Sequence, residues 1–499
     1  MGGLKNTIVC CVVLAAQHAV AAPLFEDKSD ALPEHSYTGG WEHFVGGGVA
    51  VFDCNGDDLP DIFAAGGENP AALFVNRGEF SFEQGKLQDL RGVVGAYPLD
   101  IDADGFQDLF VLRAGPNTVL RGARDCTFSD ATQSFGFVDT DRWSTAFTAW
   151  WDDGAEKPSM AVGNYVDRTD PDGPFEACDV NEILTPTAQG YQRQDLAPGF
   201  CALSILTARD ARGRTTLRLS NDRHYYVQGG YEQMWDVAER RFLTEADSWP
   251  TVSLWGMGIA SRDLTGDGRD EVMLTSMGDQ LMQIATETGA YVAAPYSIGT
   301  YAQRPHVGDD GRPSTGWHAE FGDVDNDGLA DLFLAKGNVD QMPGMAMEDP
   351  NNLLMQRETG RFEEVADAAG VATTARSRGA ALADFDGDGR LDLVVSNRRA
   401  PLELYRNVTA DRGNWLAVRL RQPGGNRDAI GAVLTVKGGP VPQSVQHVVG
   451  GGHAGGQLLP RHFGLGEATT GQVTVTWPDG KVSEHVLPAG QTHTIKKPD

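Results

Sequence analysis

The stretch ADFDGDGRLDLVVSN, residues 383–397, sets Asp384, Asp386 and Asp388 at alternating positions and adds a fourth carboxylate, Asp392, before the chain turns apolar. Carboxylates gathered in one tight glycine turn repel one another unless a hard cation sits among them. Calcium takes about six to eight oxygen ligands, and a carbonyl near the seventh position of the turn would add to the four side chains. Magnesium demands a stricter octahedron and more water, and no His or Cys stands at the donor positions to suit zinc or copper.

The same frame, with donors at positions 1, 3, 5 and 9, recurs along the chain. It is Asp53, Asn55, Asp57 and Asp61; Asp100, Asp102, Asp104 and Asp108; Asp323, Asp325, Asp327 and Asp331; and, with changes, Asp263, Thr265, Asp267 and Glu271. With the opening copy these are the candidate calcium ligands. The EF-hand is excluded because its twelfth position needs Glu, and here that position holds Ala64, Val111, Leu274, Leu334 and Val395. The competing account, that Asp and Gly only favour the backbone angles of a turn, weighs most for the Asp263 copy.

Such turns need strands on both sides. Apolar runs such as DLFLAKG and DLVVSN lead out of them, a third strand such as NLLMQR follows, and an outer strand often starts at a Phe: Phe80, Phe128, Phe242 and Phe362. Two decayed frames begin near Trp151 and Ala208. Starts at 53, 100, 151, 208, 263, 323 and 384 then define seven units of four short strands, the pattern of an all-β, seven-bladed β-propeller. The last unit lacks a Phe-led outer strand, and FEDKSDALPEH from Phe25 resembles FEEVADAAGVA from Phe362, so the N-terminal strand is expected to complete the last blade and remove an exposed edge. The tail reads WLAVRL, VTVTW and KVSEHVL in period 2, a small β-sandwich over 411–499 after a propeller over 22–410. Its VVGGGHAGGQ segment is too glycine-rich for a core strand and is expected to be an exposed loop, with His453 solvated or touching a ligand.

The chain has 41 basic and 69 acidic residues, net −28, a balance that disfavours nucleic acid and anionic lipid and favours cations. Residues 1–21 carry Lys5, an apolar run from Ile8 to Ala16 and small residues at Ala19 and Ala21, the pattern of a secretory signal cut before Ala22; the run is too short for a membrane anchor and no later segment could span a bilayer. A secreted, extracellular or periplasmic monomer with Cys54, Cys126, Cys178 and Cys201 follows. Cys178 with Cys201 is the preferred disulfide, since both flank one long irregular stretch; the state of Cys54 and Cys126 stays open, as do free buried thiols.

The DxDxDGxxD turns between short strands resemble FG-GAP or VCBS repeats, the calcium-binding blades of propellers such as those of integrin α-subunits. NWLAVRL from Asn414, NRDAIGAVLTV from Asn426, RHFGLGEA from Arg461 and VTVTWPDGK from Val473 resemble the ASPIC/UnbV module, which follows FG-GAP repeats in the cartilage acidic protein family. The resemblance implies a secreted, acidic, calcium-binding protein without an assigned reaction. The four strong turns match the family pattern except that Asp58 takes the usual glycine position, and Asp tolerates the left-handed conformation better than most residues.

No HExxH, GxSxG, Walker-type or Rossmann-type motif appears, so no enzyme activity is expected. Connections between second and third strands gather at one end of a propeller axis. They bring Arg113, Asn164, Arg223, His224, Asp279, Lys336, Asn338, Arg398 and Arg399 to one face, with Trp41, Trp143, Trp255 and Trp317 near the starts of first strands. That face is either a ligand funnel for an envelope or extracellular protein or glycan, or a set of wedges and caps at strand ends. The expected function is non-enzymatic binding, adhesion or scaffolding. The alternatives are a carbohydrate-binding protein using the aromatic-rimmed face, and a propeller-based hydrolase or lyase acting through His224.

Overall fold

In the computed structural model the chain is described over residues 22–137, 140–170, 177–222, 229–301, 310–410 and 412–499. The N-terminal 21 residues, read above as a secretory signal, lie outside the described residues, as do Arg223 and His224. No helix among the described residues is long and apolar enough to cross a membrane.

Every acidic turn closes a hairpin. Its first carboxylate follows the end of one strand and its ninth residue opens the next, so that Phe52 faces Asp61, Leu99 faces Asp108, Arg262 faces Glu271, Gly322 faces Asp331 and Ala383 faces Asp392. Two more antiparallel strands complete each sheet. Among the described residues seven such sheets follow in chain order, beginning with strands Val49–Phe52, Val93–Leu99, Ser144–Trp150, Ala202–Arg209, Gly256–Arg262, Gly316–Gly322 and Ser377–Ala383. The decayed frames near Trp151 and Ala208 fall at the ends of the third and fourth of these opening strands. The protein is all-β, a succession of small sheets consistent with a β-propeller.

The opening strands read as apolar runs rather than alternating ones because both of their faces are covered. One core lies between each sheet and the next: Ala50, Phe63 and Leu73 meet Val111 and Leu120; Ala146 and Ile183 meet Ile205 and Leu219; Phe333 and Leu353 meet Leu382 and Val395. The series ends where it began, with Ala381 and Val394 of the seventh sheet against Val51, Ile62 and Phe74 of the first. The N-terminal strand Phe25–Asp27 pairs antiparallel with Glu403–Asn407, Phe25 opposite Asn407, as the fourth strand of the seventh sheet. Its Phe25 ring is buried against that sheet's core.

Residues 412–499 form two further sheets. Asn414–Arg421 lies between Arg461–Gly466 and Gln491–Lys496, and Val433–Lys437 lies between Gln443–Gln446 and Thr470–Thr476, which pairs with Val482–Pro488. Leu416, Leu434, Phe463, Val475 and Trp477 form the core between them.

The glycine-rich segment is not an exposed loop, and this corrects the expectation from sequence. It leaves the module and runs along the opening strands of the first six sheets. The Val449 carbonyl accepts from Ala149 N–H, Gly451 N–H donates to Ile205, Gly452 exchanges hydrogen bonds with Ile259, and His453 N–H donates to His318 Nδ1. Val51 N–H then donates to Gly456, and Gln457–Leu458 adds a parallel strand beside Val51–Phe52. Glycine is required because backbone, not side chain, fills the space: a Cβ on Gly48 or Gly95 would stand 1.9 or 1.5 Å from the Ala454 carbonyl oxygen. His453 is fully buried, its ring 5.0 Å from that of Trp317, and is not solvated.

Two outcomes follow from this packing. Deleting residues 22–31 should leave the edge of Glu403–Asn407 unpaired and promote aggregation, and Phe25→Ala alone should cost about 3 kcal/mol in a denaturant melt; a truncated protein as soluble and stable as the parent would refute the strand's role. Gly95→Ala should destabilise the propeller sheets and the module together, read as one shifted transition by circular dichroism, because its methyl group meets the axial segment of the module.

Candidate metal centres

Three hydrogen bonds recur in all five acidic turns. The carboxylate at position 1 accepts the N–H of position 6: Asp53 from Asp58, Asp100 from Gly105, Asp263 from Gly268, Asp323 from Gly328 and Asp384 from Gly389. Position 5 accepts the N–H of position 7, as Asp388 does from Arg390 and Asp327 from Leu329. Position 9 accepts the N–H of position 2, as Asp392 does from Phe385 at 2.8 Å and Asp108 from Ile101 at 2.9 Å. In four turns its other oxygen accepts an N–H of the third strand: Asn76, Gly122, Gln356 and Asn407. The ninth residue is therefore a bracket between turn and sheet. Position 6 has positive φ throughout, and Asp58 adopts it at 69° as the four glycines do.

Those bonds aim the remaining oxygens inward. Asp100, Asp102 and Asp108, then Asp323, Asp325 and Asp331, then Asp384, Asp386 and Asp392 each bring three carboxylate oxygens within 4.8 Å of one another. The first and the Asp263 turns form no such trio among the described residues; there Asn55 and Thr265 hold position 3, and Asn55 bonds Asp57 instead. Asp100 Oδ1, Asp102 Oδ1, Asp386 Oδ1 and Glu271 Oε1 are buried without a hydrogen-bond partner. Burial pushes Asp108 up to about 8 and Asp100 up to about 7, with neighbouring carboxylates adding to the shift. It does the same to Asp384, to about 6, and raises Asp323, Asp331 and Asp392 well above the usual range. Buried, unpartnered oxygens that resist sharing negative charge are a donor set that fits a hard cation.

The decayed fourth turn shows the alternative solution. Asp210 keeps the turn's hydrogen bonds to Arg212 and Arg214 N–H, but the Arg214 guanidinium lies on its other oxygen at 2.6 Å. A side-chain cation stands where the acidic turns gather further carboxylates.

The module covers this end of the molecule. A Cβ on Gly389 would meet the Trp415 ring, one on Gly328 would meet Pro440, and one on Gly464 would meet Asp323; Gly413 N–H donates to the Asp325 carbonyl and Arg427 to the Ala103 carbonyl. Sequence reasoning did not find these contacts, since nothing in the module's pattern signals the turns. Two disulfides are present, the anticipated Cys178–Cys201 and also Cys54–Cys126, whose Cys54 is the second residue of the first turn.

Among the described residues, most of the side chains that repeat alignment brings to the opposite end are buried wedges and caps rather than the lining of an open funnel. Trp317 is fully buried, donating to the Gly337 carbonyl with Arg378 stacked 4.1 Å from its ring. Lys336 is buried on Asp349 at 3.2 Å, and Arg398 is buried on the carbonyls of His43 and Gly39. Asn164, Asn338 and Trp143 are buried as well, and Trp41 and Trp255 are partly buried against the same core. The chain near Gly39–His43 and near Val339 closes over this end and satisfies the arginines with backbone carbonyls. Arg113 is half-buried on the Arg91 and Pro116 carbonyls; Arg399, on Asp340, and Asp279 remain accessible.

Family comparison matches the turns and the tail separately. FG-GAP-like repeat covers residues 53–111 and 323–395, and ASPIC and UnbV covers residues 422–499. The chain carries FG-GAP-like repeats and an ASPIC and UnbV domain. It is homologous to cartilage acidic protein 1 across most of its length: 24% identical to that of Xenopus tropicalis over 494 residues, covering 90% of this chain and 72% of the relative. To the human protein it is 31% identical over 183 residues, 35% of this chain and 26% of the relative, so that match spans about a quarter of the human protein. Among solved structures, BBS1N in complex with ARL6DN is similar at 10% identity and a TM-score of 0.45, covering 77% of this chain and 97% of that one. An Agrocybe aegerita protein that recognises non-reducing terminal N-acetylglucosamine is similar at 14% and 0.37, covering 72% and 87%.

The raised carboxyl groups set a pH dependence for the metal-free protein. Their folded pKa values lie above the unfolded value of about 4, so the folded state holds extra protons and loses stability as pH rises from about 4 to about 8. Scanning calorimetry in EGTA should give a lower melting temperature at pH 8 than at pH 5.5, and saturating calcium should flatten or invert the difference. A metal-free protein that gains stability over that range would overturn the assignment.

Proposed function

We propose that this is a secreted, calcium-binding, seven-bladed propeller over residues 22–410, closed by its N-terminal strand and joined to a β-module over 411–499, that acts as a non-enzymatic binding or scaffolding protein. The buried carboxylate trios with unpartnered oxygens carry the calcium reading, and they recur on one hairpin frame. The run of cores from sheet to sheet, ending on the first, supports the ring. Secretion is supported by the two disulfides, by the signal-like first residues and by homology to cartilage acidic protein 1.

The metal then holds the hairpins, and through them the module, by binding the native state alone. A partner would meet the accessible outer surfaces rather than the axis. The catalytic alternative rested on His224, which the described residues do not include, and of the aromatic rim of the glycan alternative Trp143 and Trp317 are buried while Trp41 and Trp255 are partly so.

Elemental analysis of the dialysed protein should find calcium, and EGTA should lower its melting temperature. Asp386→Ala with Asp388→Ala should leave one ion fewer than the parent in a protein that still folds. No calcium and an unchanged melting curve would dispose of the reading.

A further inference from the structure

A cleft of about 320 Å³ lies between the turns at Asp53 and Asp100 and the module strand Asn414–Arg421. Three guanidinium groups, Arg419, Arg421 and Arg427, line it, and all three act on the buried Asp428 among them. We propose that this cleft binds an anionic saccharide unit, its carboxylate or sulfate on these arginines, when the two turns hold their cations. The inference rests on the calcium reading above.

Each arginine is held by one arm and keeps others for a ligand: Arg419 Nη1 bonds Asp58 and Arg427 Nη1 donates to the Ala103 carbonyl. Arg419 Nη2 is 3.8 Å from Asp53 Oδ2 and Arg427 Nε is 3.9 Å from Asp100 Oδ2, within charge range but beyond a hydrogen bond. Arg421 bonds Asp428 and its own neighbour's carbonyl, and its side chain stays 39% exposed; that of Arg427 is 43% exposed. Four carboxylates, Asp53, Asp58, Asp100 and Asp428, face these three cations, a near balance. A divalent ion in each turn would take up the Asp53 and Asp100 carboxylates and weaken their pull on Arg419 and Arg427. The remaining arms of the forked donors would then meet a planar or tetrahedral anion with less competition.

Charge elsewhere narrows the ligand. Residues 411–499 hold nine Lys and Arg against six Asp and Glu, whereas the whole chain is at −28. A polyanion would be repelled by the propeller's surface, so the cleft suits one acidic group on an otherwise neutral frame. Its volume is that of a small-ligand site, and Asn55, Gln107 and Thr494 supply polar partners for sugar hydroxyls.

The test is isothermal titration of the full chain with a uronic-acid disaccharide, a sulfated disaccharide and a neutral disaccharide, each in calcium and in EGTA, with bound calcium measured on the same samples. Binding of one or both acidic probes in calcium alone is expected, the arms showing which acid is preferred. Arg427→Gln and Arg421→Gln should each weaken it about tenfold or more; Arg421 bonds only within the module, so its replacement leaves the docking contacts in place. Bound calcium without acidic-probe binding overturns the inference and leaves the calcium reading standing. Equal binding of the neutral probe, equal binding in EGTA, or full binding by Arg421→Gln also overturns it. A parent that holds no calcium and binds no probe refutes both.

Discussion

Several carboxylates buried around one point cannot all be charged without a cation, and the rest of this molecule is arranged about that constraint. The backbone N–H groups at positions 2, 6 and 7 and from the third strand take up the outer oxygens of each turn, which leaves the inner ones facing one another. The same bonds set the register of the hairpin, since the ninth residue pairs with the end of the preceding strand. Site and fold are one device: a residue that would hold the ion also decides which faces of the strands meet the neighbouring sheets.

The second dependence runs through backbone rather than charge. The inner strands of successive sheets present free edges toward the axis, and a bare row of such groups costs stability or invites pairing with another chain. The segment from Val449 to Leu458 supplies such partners to the third through sixth sheets in turn and then to the second and first. Only a glycine-rich chain can approach so closely, with φ at 76° and 59° for Gly451 and Gly452. The module is thereby anchored twice, by this segment along the inner edges and by its surface against the acidic turns.

Legibility followed physical range. The repeat, the strand-turn-strand frame and the outer Phe are local patterns, and they led to the right hairpins and to Phe25–Asp27 as a partner of Glu403–Asn407. The Asp58 turn was readable because left-handed backbone has a small set of tolerant residues. What sequence hid was long-range satisfaction of polar groups. Arg398 and Lys336 look like rim residues by alignment, yet a carbonyl from residue 43 and a carboxylate from Asp349 bury them. Arg378 bonds backbone carbonyls of Phe44, Asn338 and Val339, and backbone acceptors leave no motif to read. The glycine run misled for the same reason: its low side-chain content describes a loop in isolation and a backbone strut in a crowded axis.

The third and fourth sheets, whose turns have lost the donor frame, show how a hairpin is held without a carboxylate cluster. At the fourth, Arg214 supplies positive charge to Asp210 from within the same turn, at 2.6 Å. The third lies beside it, and Cys178–Cys201 links the loop before its third strand to the residue preceding the opening strand of the fourth sheet. Buried Glu182 there is held by Arg142 at 3.0 Å. Internal ion pairs do for these sheets what a bound ion would do for the others; the disulfide is no distinction, since Cys54–Cys126 likewise ties the first acidic turn to the second sheet. On the calcium reading, removal of metal acts unevenly, loosening the hairpins of the second, sixth and seventh sheets, whose turns hold carboxylate trios, while the third and fourth keep their local restraints. The cleft of Arg419, Arg421 and Arg427 lies between the first and second turns, against the module.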